Sequence, residues 1–368
     1  MGTSSATGRS RELLARPTVV LTLGGGVLLL LDLLAQLAQV DIWIIGGSLP
    51  FSQLANYLWT GLILGLIIGL AGVGLSLTYS ILNFANFAHG DYLTIGAFSG
   101  WSVAYVIAGF SSLDIADLVL VTAAPSDVGA SVASTPVAVL VGLFAAVVVT
   151  VLLGLAIDKA VYKPMRNSEG ISLLIASIGV AFVLRYLAAL LFGTGRLGVT
   201  AASQIPSTNV FGVTVSAHQL TILVVAVAVM VAVHLLLQMT TIGKAMRAMA
   251  DNRDLARITG IPTERMITAT WILGSGLAGA AGYMRVLTRG TVGFNDGYLL
   301  LLLIFAAVIL GGIGSIYGAI AGGLLIGITS RVALVWVPGE FGRPIAFGLM
   351  ILLLLFRPSG LFGGVETA

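Results

Sequence analysis

Four polar side chains fall within nine residues of one of the most apolar parts of this chain. They are Asn83, Asn86, His89 and Asp91, in the stretch "NFANFAHGDYLTIGAF", residues 83–98. Two amides, an imidazole and a carboxylate at that spacing are the material of a metal site, a proton relay or a polar turn. A metal site wants more donors than the chain offers. It has no cysteine, which also removes disulfides and thiol nucleophiles, and its three histidines, His89, His218 and His234, lie far apart in the chain.

The surroundings decide what such a cluster can do. The 368 residues are 58% hydrophobic and 9% charged, with a mean hydropathy of +1.07, whereas soluble domains carry about 25% charged residues. The composition predicts an all-α polytopic membrane protein. A formal net charge of +3 without basic clusters gives no argument for nucleic acid. The 47 glycines suit a bundle in which small residues let helices approach closely.

A spanning helix needs about 20 mostly apolar residues. That length predicts ten spans, near 18–38, 57–82, 87–109, 136–157, 171–192, 217–238, 266–287, 298–311, 315–337 and 344–356. The eighth and tenth are short enough to be broken or half-inserted. The runs are continuously apolar rather than alternating, which excludes a β-barrel. Arg9, Arg11 and Arg16 precede the first span, and Lys159, Lys163 and Arg166 follow the fourth. Lys244, Arg247, Arg253, Arg257 and Arg265 lie between the sixth and seventh, and Arg357 follows the last. With ten crossings all of these fall on one side, the cytoplasm, and both termini lie inside. The outer side then carries the acidic segment 111–136, with Asp114, Asp117 and Asp127, and the segment 193–216, with Arg196 as its one basic residue. The apolar start is read as an uncleaved helix, because no small-x-small cleavage site precedes Asp41. Residues 41–56 read as an interfacial connector on the outer face.

The longest polar stretch of helical character is "TTIGKAMRAMADNRDLARITGIPTERM", residues 240–266. Ala245, Met246, Met249, Ala250, Leu255, Ala256 and Ile258 recur at helical spacing, with charges on the remaining faces. Gly260 can end the helix, Pro262 blocks continuation, and Thr263 is expected to cap the seventh span. This short helix, or pair of helices, either lies among lipid headgroups or forms a knob for a soluble partner.

Two other groups invite the same weighing. By this topology His89 and Asp91 sit near the cytoplasmic end of a span, where water is close. Asn83 and Asn86 can form a polar turn that His89 caps while Asp91 starts the third helix; alternatively the turn lines or gates an inner mouth. Gly311, Gly312 and Gly314, followed by Ser315, break a helix pair. Their freed amides can serve a turn or meet a carboxylate at a half-helix N-terminus. Arg185 and Arg285 are expected to snorkel outward. Arg331 also lies in or near a span. His234 reads as an interfacial or hydrogen-bonded residue, and Asp32 as an interhelical contact.

Three blocks point in one direction. "GKAMRAMADNRDLARITGIPTERMI", "NFAHGDYLTIGAF" and "AAVILGGIGSIYGAIAGGLLIGI", at 306–328, resemble in order and spacing the motifs of branched-chain amino acid ABC transporter permeases of the LivH/LivM type. "YKPMRNSEGISLLIASIGVAFVL", at 162–184, and "LLFRPSGLFG", at 354–363, fit as well. The resemblance covers most of the chain from about residue 57. It implies a permease domain over 57–368, preceded by an N-terminal extension, 1–56, with an extra transmembrane helix. It also implies the bundle of type II ABC importers, whose coupling helices lie between the sixth and seventh spans.

By resemblance, the ATPase-coupling residues are Gly243, Lys244, Ala245, Arg247, Ala248, Asp251, Ala256, Gly260 and Ile261. Pathway or gate candidates are Asn83, Asn86, His89, Gly90, Asp91, Gly311, Gly312, Gly314 and Ser315. The implied partners are two cytoplasmic ABC ATPases, a second permease subunit or copy, an extracytoplasmic substrate-binding protein and membrane lipid. The implied place is a prokaryotic plasma membrane. No catalytic residue, metal or cofactor is expected in this chain: it lacks a G-x-x-x-x-G-K-[ST] loop, so ATP and magnesium belong to the partners. Permeases of this kind also carry urea, short amides and other amino acids. A stand-alone secondary transporter or channel would want an inverted repeat and midplane acids, for which Asp32 is the candidate; a membrane scaffold protein would not need the coupling-loop motif.

Overall fold

In lipid a backbone can satisfy its own amides only along a helix, so each leucine-, valine- and isoleucine-rich run folds as one. The computed structural model describes residues 17–40, 46–110, 113–198 and 200–362. Helices lie over all ten apolar segments. In order they are α1 (Pro17–Leu37), α2 (Phe51–Leu82), α3 (His89–Gly109), α6 (Pro136–Ile157), α7 (Gly170–Phe192), α8 (Ala217–Met239), α11 (Thr263–Arg289), α12 (Asp296–Gly311), α13 (Ile316–Val332) and α14 (Gly342–Phe356). The short α4 (Ile115–Leu120) and α5 (Pro125–Val128) lie in the acidic segment, and α9 (Thr241–Asp251) and α10 (Arg253–Ile258) follow α8.

Among the described residues seven helices are long and apolar enough to cross a membrane: α2, α3, α6 with its extension to Tyr162, α7, α8, α13 extended to Val335, and α14 taken from Gly339. α12 is apolar but only 16 residues long, and α1 contributes the apolar stretch Gly24–Leu37. α11 is long, but glycine, alanine and threonine dilute its apolar character.

Local chemistry moves several expected boundaries. α6 runs on through a π-helical turn, Asp158–Tyr162, rather than stopping at 157. At the start of α11 the cap position is Pro262, and Thr263 is already helical, so the expected threonine cap is not formed. Ser216 caps α8 with a full capping box, receiving the Gln219 amide while the Gln219 side chain accepts from its own.

The chain divides into two compact units, residues 1–57 with 211–213, and the remainder. In the first, Asp32 accepts hydrogen bonds from Gln36 at 2.6 Å and from the Gly46 amide at 2.8 Å. It thereby ties α1 to the connector that follows, where the sequence suggested a contact between helices. Residues 41–45 of that connector, and Arg9, Arg11 and Arg16, lie outside the described residues.

The second unit is centred on α3, α6 and α11, which approach at backbone distance. A Cβ on Gly282 would stand 2.1 Å from the Leu93 carbonyl, and one on Gly279 would stand 2.1 Å from the Thr150 hydroxyl. No larger residue fits at either crossing, as expected where association rests on close packing rather than on water exclusion. Trp101, Trp271, Tyr92 and Tyr283 fill the space around these crossings. On the far side, Leu197–Gly198 pairs antiparallel with Thr291–Val292, and Arg196 makes a two-pronged bond to Asp296 at 3.1 and 2.6 Å.

Candidate functional site

The four polar residues that opened the sequence are not at a wet edge. Asn83 is exposed, and at φ +55° it ends α2 in the left-handed region. The chain then turns back into the bundle. Asn86 Oδ1 accepts from the Ala88 amide at 3.0 Å and from the Tyr162 hydroxyl at 3.3 Å. The Phe87 amide donates to Ser177 Oγ on α7 at 3.0 Å. His89 Nε2 lies 2.9 Å from the carbonyl of Ala71, which is about 16 Å along α2 from its end at 1.5 Å per residue. The expectation that His89 and Asp91 stand close to water is therefore corrected: α2 overshoots, and residues 83–88 climb back beside it. His89 and Asp91 are fully buried.

Asp91 finds a partner that the sequence assigned to lipid. Arg185, on α7, donates from Nε at 3.1 Å and from Nη2 at 2.9 Å to the two carboxylate oxygens. Its guanidinium also lies 4.1 Å from the ring centroid of Tyr298. Arg185 is thus an interior ion-pair residue and does not snorkel outward. Its position, about 22 Å into α7 from Gly170, shows how deep the pair sits. Gly90, between His89 and Asp91, lets α12 in: a Cβ on the facing Gly297 would stand 1.9 Å from the Gly90 carbonyl. Around the cluster Tyr162 stacks on Trp271 at 5.2 Å, and Tyr92 meets Trp271 edge-on at 6.3 Å. Asn86 Nδ2, His89 Nδ1, the Tyr92 hydroxyl and Trp271 Nε1 are buried there without hydrogen-bond partners among the described residues. Such groups are costly and uncommon in a purely structural core.

The polar loop after α8 folds as a helical pair. Thr240 caps α9 by accepting from the Gly243 amide at 3.1 Å, and Asn252 caps α10 by accepting from Leu255 at 2.9 Å. Gly260, at φ +87°, ends the second helix as its sequence position suggested. Gly243 fixes the mount: a Cβ there would stand 2.4 Å from the Leu237 Cα and from the carbonyls of Leu236 and Leu237. Met246, Met249 and Ala256 are buried, Ala245, Arg247, Ala248 and Ile261 are half-buried, and Lys244, Asp251 and Gly260 are exposed. The expected coupling residues thus divide into those that hold the loop and those that face outward. The sequence reading did not single out Leu255 and Ile258 as outward-facing. They stand 54% and 81% exposed, one turn apart on α10.

Beside this pair, Glu264 at the start of α11 bonds to Arg166 and lies 3.3 Å from Lys163. Arg166 also reaches Asp158 at 2.6 Å. The Arg166 guanidinium, helped by Lys163, holds the Glu264 carboxyl below its usual range. Burial pulls Arg166 down, but its two carboxylate partners outweigh that and raise it.

The Gly311–Ser315 break is a tight hairpin. Gly312 and Gly314 take φ values of +103° and +88°, and a Cβ on Gly311 would stand 1.9 Å from the Gly318 carbonyl. Ser315 Oγ accepts from the Gly318 amide at 3.0 Å, so the N-terminus of α13 is capped from within. The amides of Leu361 and Phe362 donate to the carbonyls of Leu310 and Gly311, at 2.9 and 3.0 Å, closing the last turn of α12. The hairpin borders a cavity of about 330 Å³, also lined by Ser80, His234, Gln238, Arg247, Asp251 and Tyr317. There His234 Nδ1 lies 2.7 Å from the Tyr317 hydroxyl, and Arg247 donates to Gln238 Oε1. Loop, hairpin and His234 thus surround one opening, while the Asn86–Asp91 cluster is buried elsewhere. Among the described residues no group of three or more His, Cys, Asp or Glu is placed to hold a metal.

Comparison with known proteins accords with this architecture. A family model described as "Branched-chain amino acid transport system / permease component" matches residues 57–354. The LivH permease protein of the high-affinity branched-chain amino acid transport system of Salmonella typhimurium is 28% identical over 324 residues, covering 87% of this chain and 99% of that protein. BraD, the corresponding permease protein of Pseudomonas aeruginosa, is 30% identical over 86% of this chain and 96% of its own. A probable LivH of Methanocaldococcus jannaschii is 30% identical over 80% and 88%. No solved structure matches.

Proposed function

The chain belongs to the branched-chain amino acid transport system permease family, and we propose that it is the membrane subunit of an ATP-driven, binding-protein-dependent importer of branched-chain amino acids. It is a multi-pass membrane permease subunit, a transport component rather than an enzyme. The proposal extends this to ten crossings with both termini in the cytoplasm, a permease domain over 57–368 and an extra helix before it. ATP and magnesium would be held by two partner ATPases, a second permease would complete the pathway, and an external binding protein would deliver the solute.

The observation that carries the reading is the α9–α10 pair. A loop between the sixth and seventh apolar helices is braced by backbone contact at Gly243, yet presents Leu255 and Ile258 to solvent. Exposed aliphatic side chains one turn apart on a rigid mount suit insertion into an apolar groove of a soluble protein. In the proposed cycle, closure of the ATPases on ATP moves this mount. The motion passes through Met246 and Met249 into α8 and the cavity beside the Gly311–Ser315 hairpin, whose mouth alternates between open and closed. The buried Asn86–Asp91 cluster acts as the hub about which α2, α3 and α7 reorient.

The test is co-purification. Ile258→Glu places a charge where a groove would receive an aliphatic chain. It should leave the folded permease intact, since surface changes cost within about 0.5 kcal/mol, and abolish recovery of the ATPases and leucine uptake. Undiminished ATPase recovery would overturn the docking role.

A further inference from the structure

At the end of the bundle opposite the α9–α10 pair a second cavity, of about 160 Å³, opens between the last turns of α11 and α13 and the first turns of α12 and α14. Its charged lining is Arg285, Arg289, Arg331 and Arg343 against the single carboxylate of Asp296. That carboxylate is already engaged: Arg289 lies 2.9 Å and Arg196 2.6 Å from its oxygens. Among the described residues Arg285, Arg331 and Arg343 make no ion pair. The side-chain hydrogen bond of Arg285 there is a long one, 3.4 Å, to Thr288, and Arg331 Nε is buried with no partner.

Three uncompensated guanidiniums around one small cavity repel each other and forfeit water, a cost that a membrane bundle keeps only for a reason. Arg285 therefore does not snorkel away from the protein, as its sequence position suggested, but turns into this cavity. Apart from Ser330 the rest of the wall is apolar, with Leu64, Leu299 and Leu303 among its residues.

We propose that this cavity is a binding site for the carboxylate of a small aliphatic amino acid entering from the external face, with the leucines against its side chain. A guanidinium fork matches a carboxylate with two parallel bonds, and arginine remains charged at every working pH. The volume suits a molecule of amino-acid size and is below the ~300 Å³ at which drug-sized pockets begin. The inference rests on the import reading for the identity of the amino acid, but the carboxylate site itself does not depend on it.

The test uses the full-length chain in phosphatidylcholine nanodiscs, reacted with phenylglyoxal, with modification of Arg331 and Arg343 read by peptide mass spectrometry. Leucine and isocaproate, which share a carboxylate, should slow modification of both; leucinamide, which lacks it, should not. Arg343→Gln should raise the leucine concentration that half-protects Arg331 by about tenfold, the loss of one charge-assisted contact. Equal protection by leucinamide, or none by either carboxylate, overturns the site. Protection that appears only when phosphatidylglycerol is added also overturns it, marking the cavity as a lipid-headgroup site. ATP-driven leucine uptake by the assembled complex is measured in parallel. Uptake with no protection removes the site and leaves the import reading; protection by isocaproate without leucine uptake does the reverse.

Discussion

Replacing Arg185 by methionine keeps most of the side-chain volume but removes both hydrogen bonds to Asp91. Asp91 is 0% exposed and the Arg185 side chain 9%, so neither charge can turn to water when its partner is lost. Breaking a buried pair from one side costs about 3–5 kcal/mol, mostly the penalty on the charge left behind. Arg185→Met should fall in that range. Asp91→Asn should cost less, because the guanidinium keeps the Tyr298 ring at 4.1 Å and an amide oxygen can still accept. The double variant Asp91→Asn, Arg185→Met leaves no buried charge and should recover to within about 1 kcal/mol of the natural chain. Thermal denaturation in detergent, followed by fluorescence-detected size exclusion, reads the series. At about 2–4 °C per kcal/mol, Arg185→Met should lower the midpoint by roughly 6–20 °C. A double variant as damaged as the sum of the singles would refute the reasoning, since the cost would then come from lost packing. So would a single Arg185→Met with an unchanged midpoint.

Two further outcomes follow from the α9–α10 pair and the ion pair beside it. Gly243→Ala drives a Cβ to 2.4 Å from the α8 backbone; it should displace the α9–α10 pair and reduce leucine uptake at least about tenfold, whereas exposed Lys244→Ala should not, as transport assays would read. Glu264, with its carboxyl lowered by Arg166, stabilises the fold at pH values above the ordinary glutamate range, about 4.3. That contribution fades as pH falls through the lowered value. Melting scans from pH 6 to pH 3 should show the natural chain losing stability relative to Glu264→Gln only at the acid end; a constant difference across the range would count against the ion pair.

Much of this architecture was legible in the residues. Each apolar run of membrane length became a helix, because lipid leaves the backbone no other partner, and Gly260 stops α10 through the left-handed conformation that its sequence position implied. Depth was not legible. A hydropathy profile follows the chain and cannot see it turn back, so His89 and Asp91 read as edge residues when they lie deep against α2 and α7. Pairing across the chain was equally hidden: Arg185 lies 94 positions from Asp91, and an arginine in an apolar helix reads as one that reaches for water. The α10 face was missed for another reason. Helical spacing put leucine, isoleucine and Ala256 in one apolar set without dividing it, whereas Ala256 alone is buried there and its two larger neighbours face outward.

The bonds from Leu361 and Phe362 to the carbonyls of Leu310 and Gly311 set an order of assembly. Those carbonyls, and the close contact of Gly360 with Gly312, gain their partners only after the final apolar helix has been made. The hairpin that borders the larger cavity is therefore finished only by residues that follow the last of the ten apolar helices. A chain truncated after Phe356 would keep every described helix and lose this latch, leaving the Leu310 and Gly311 carbonyls without these donors.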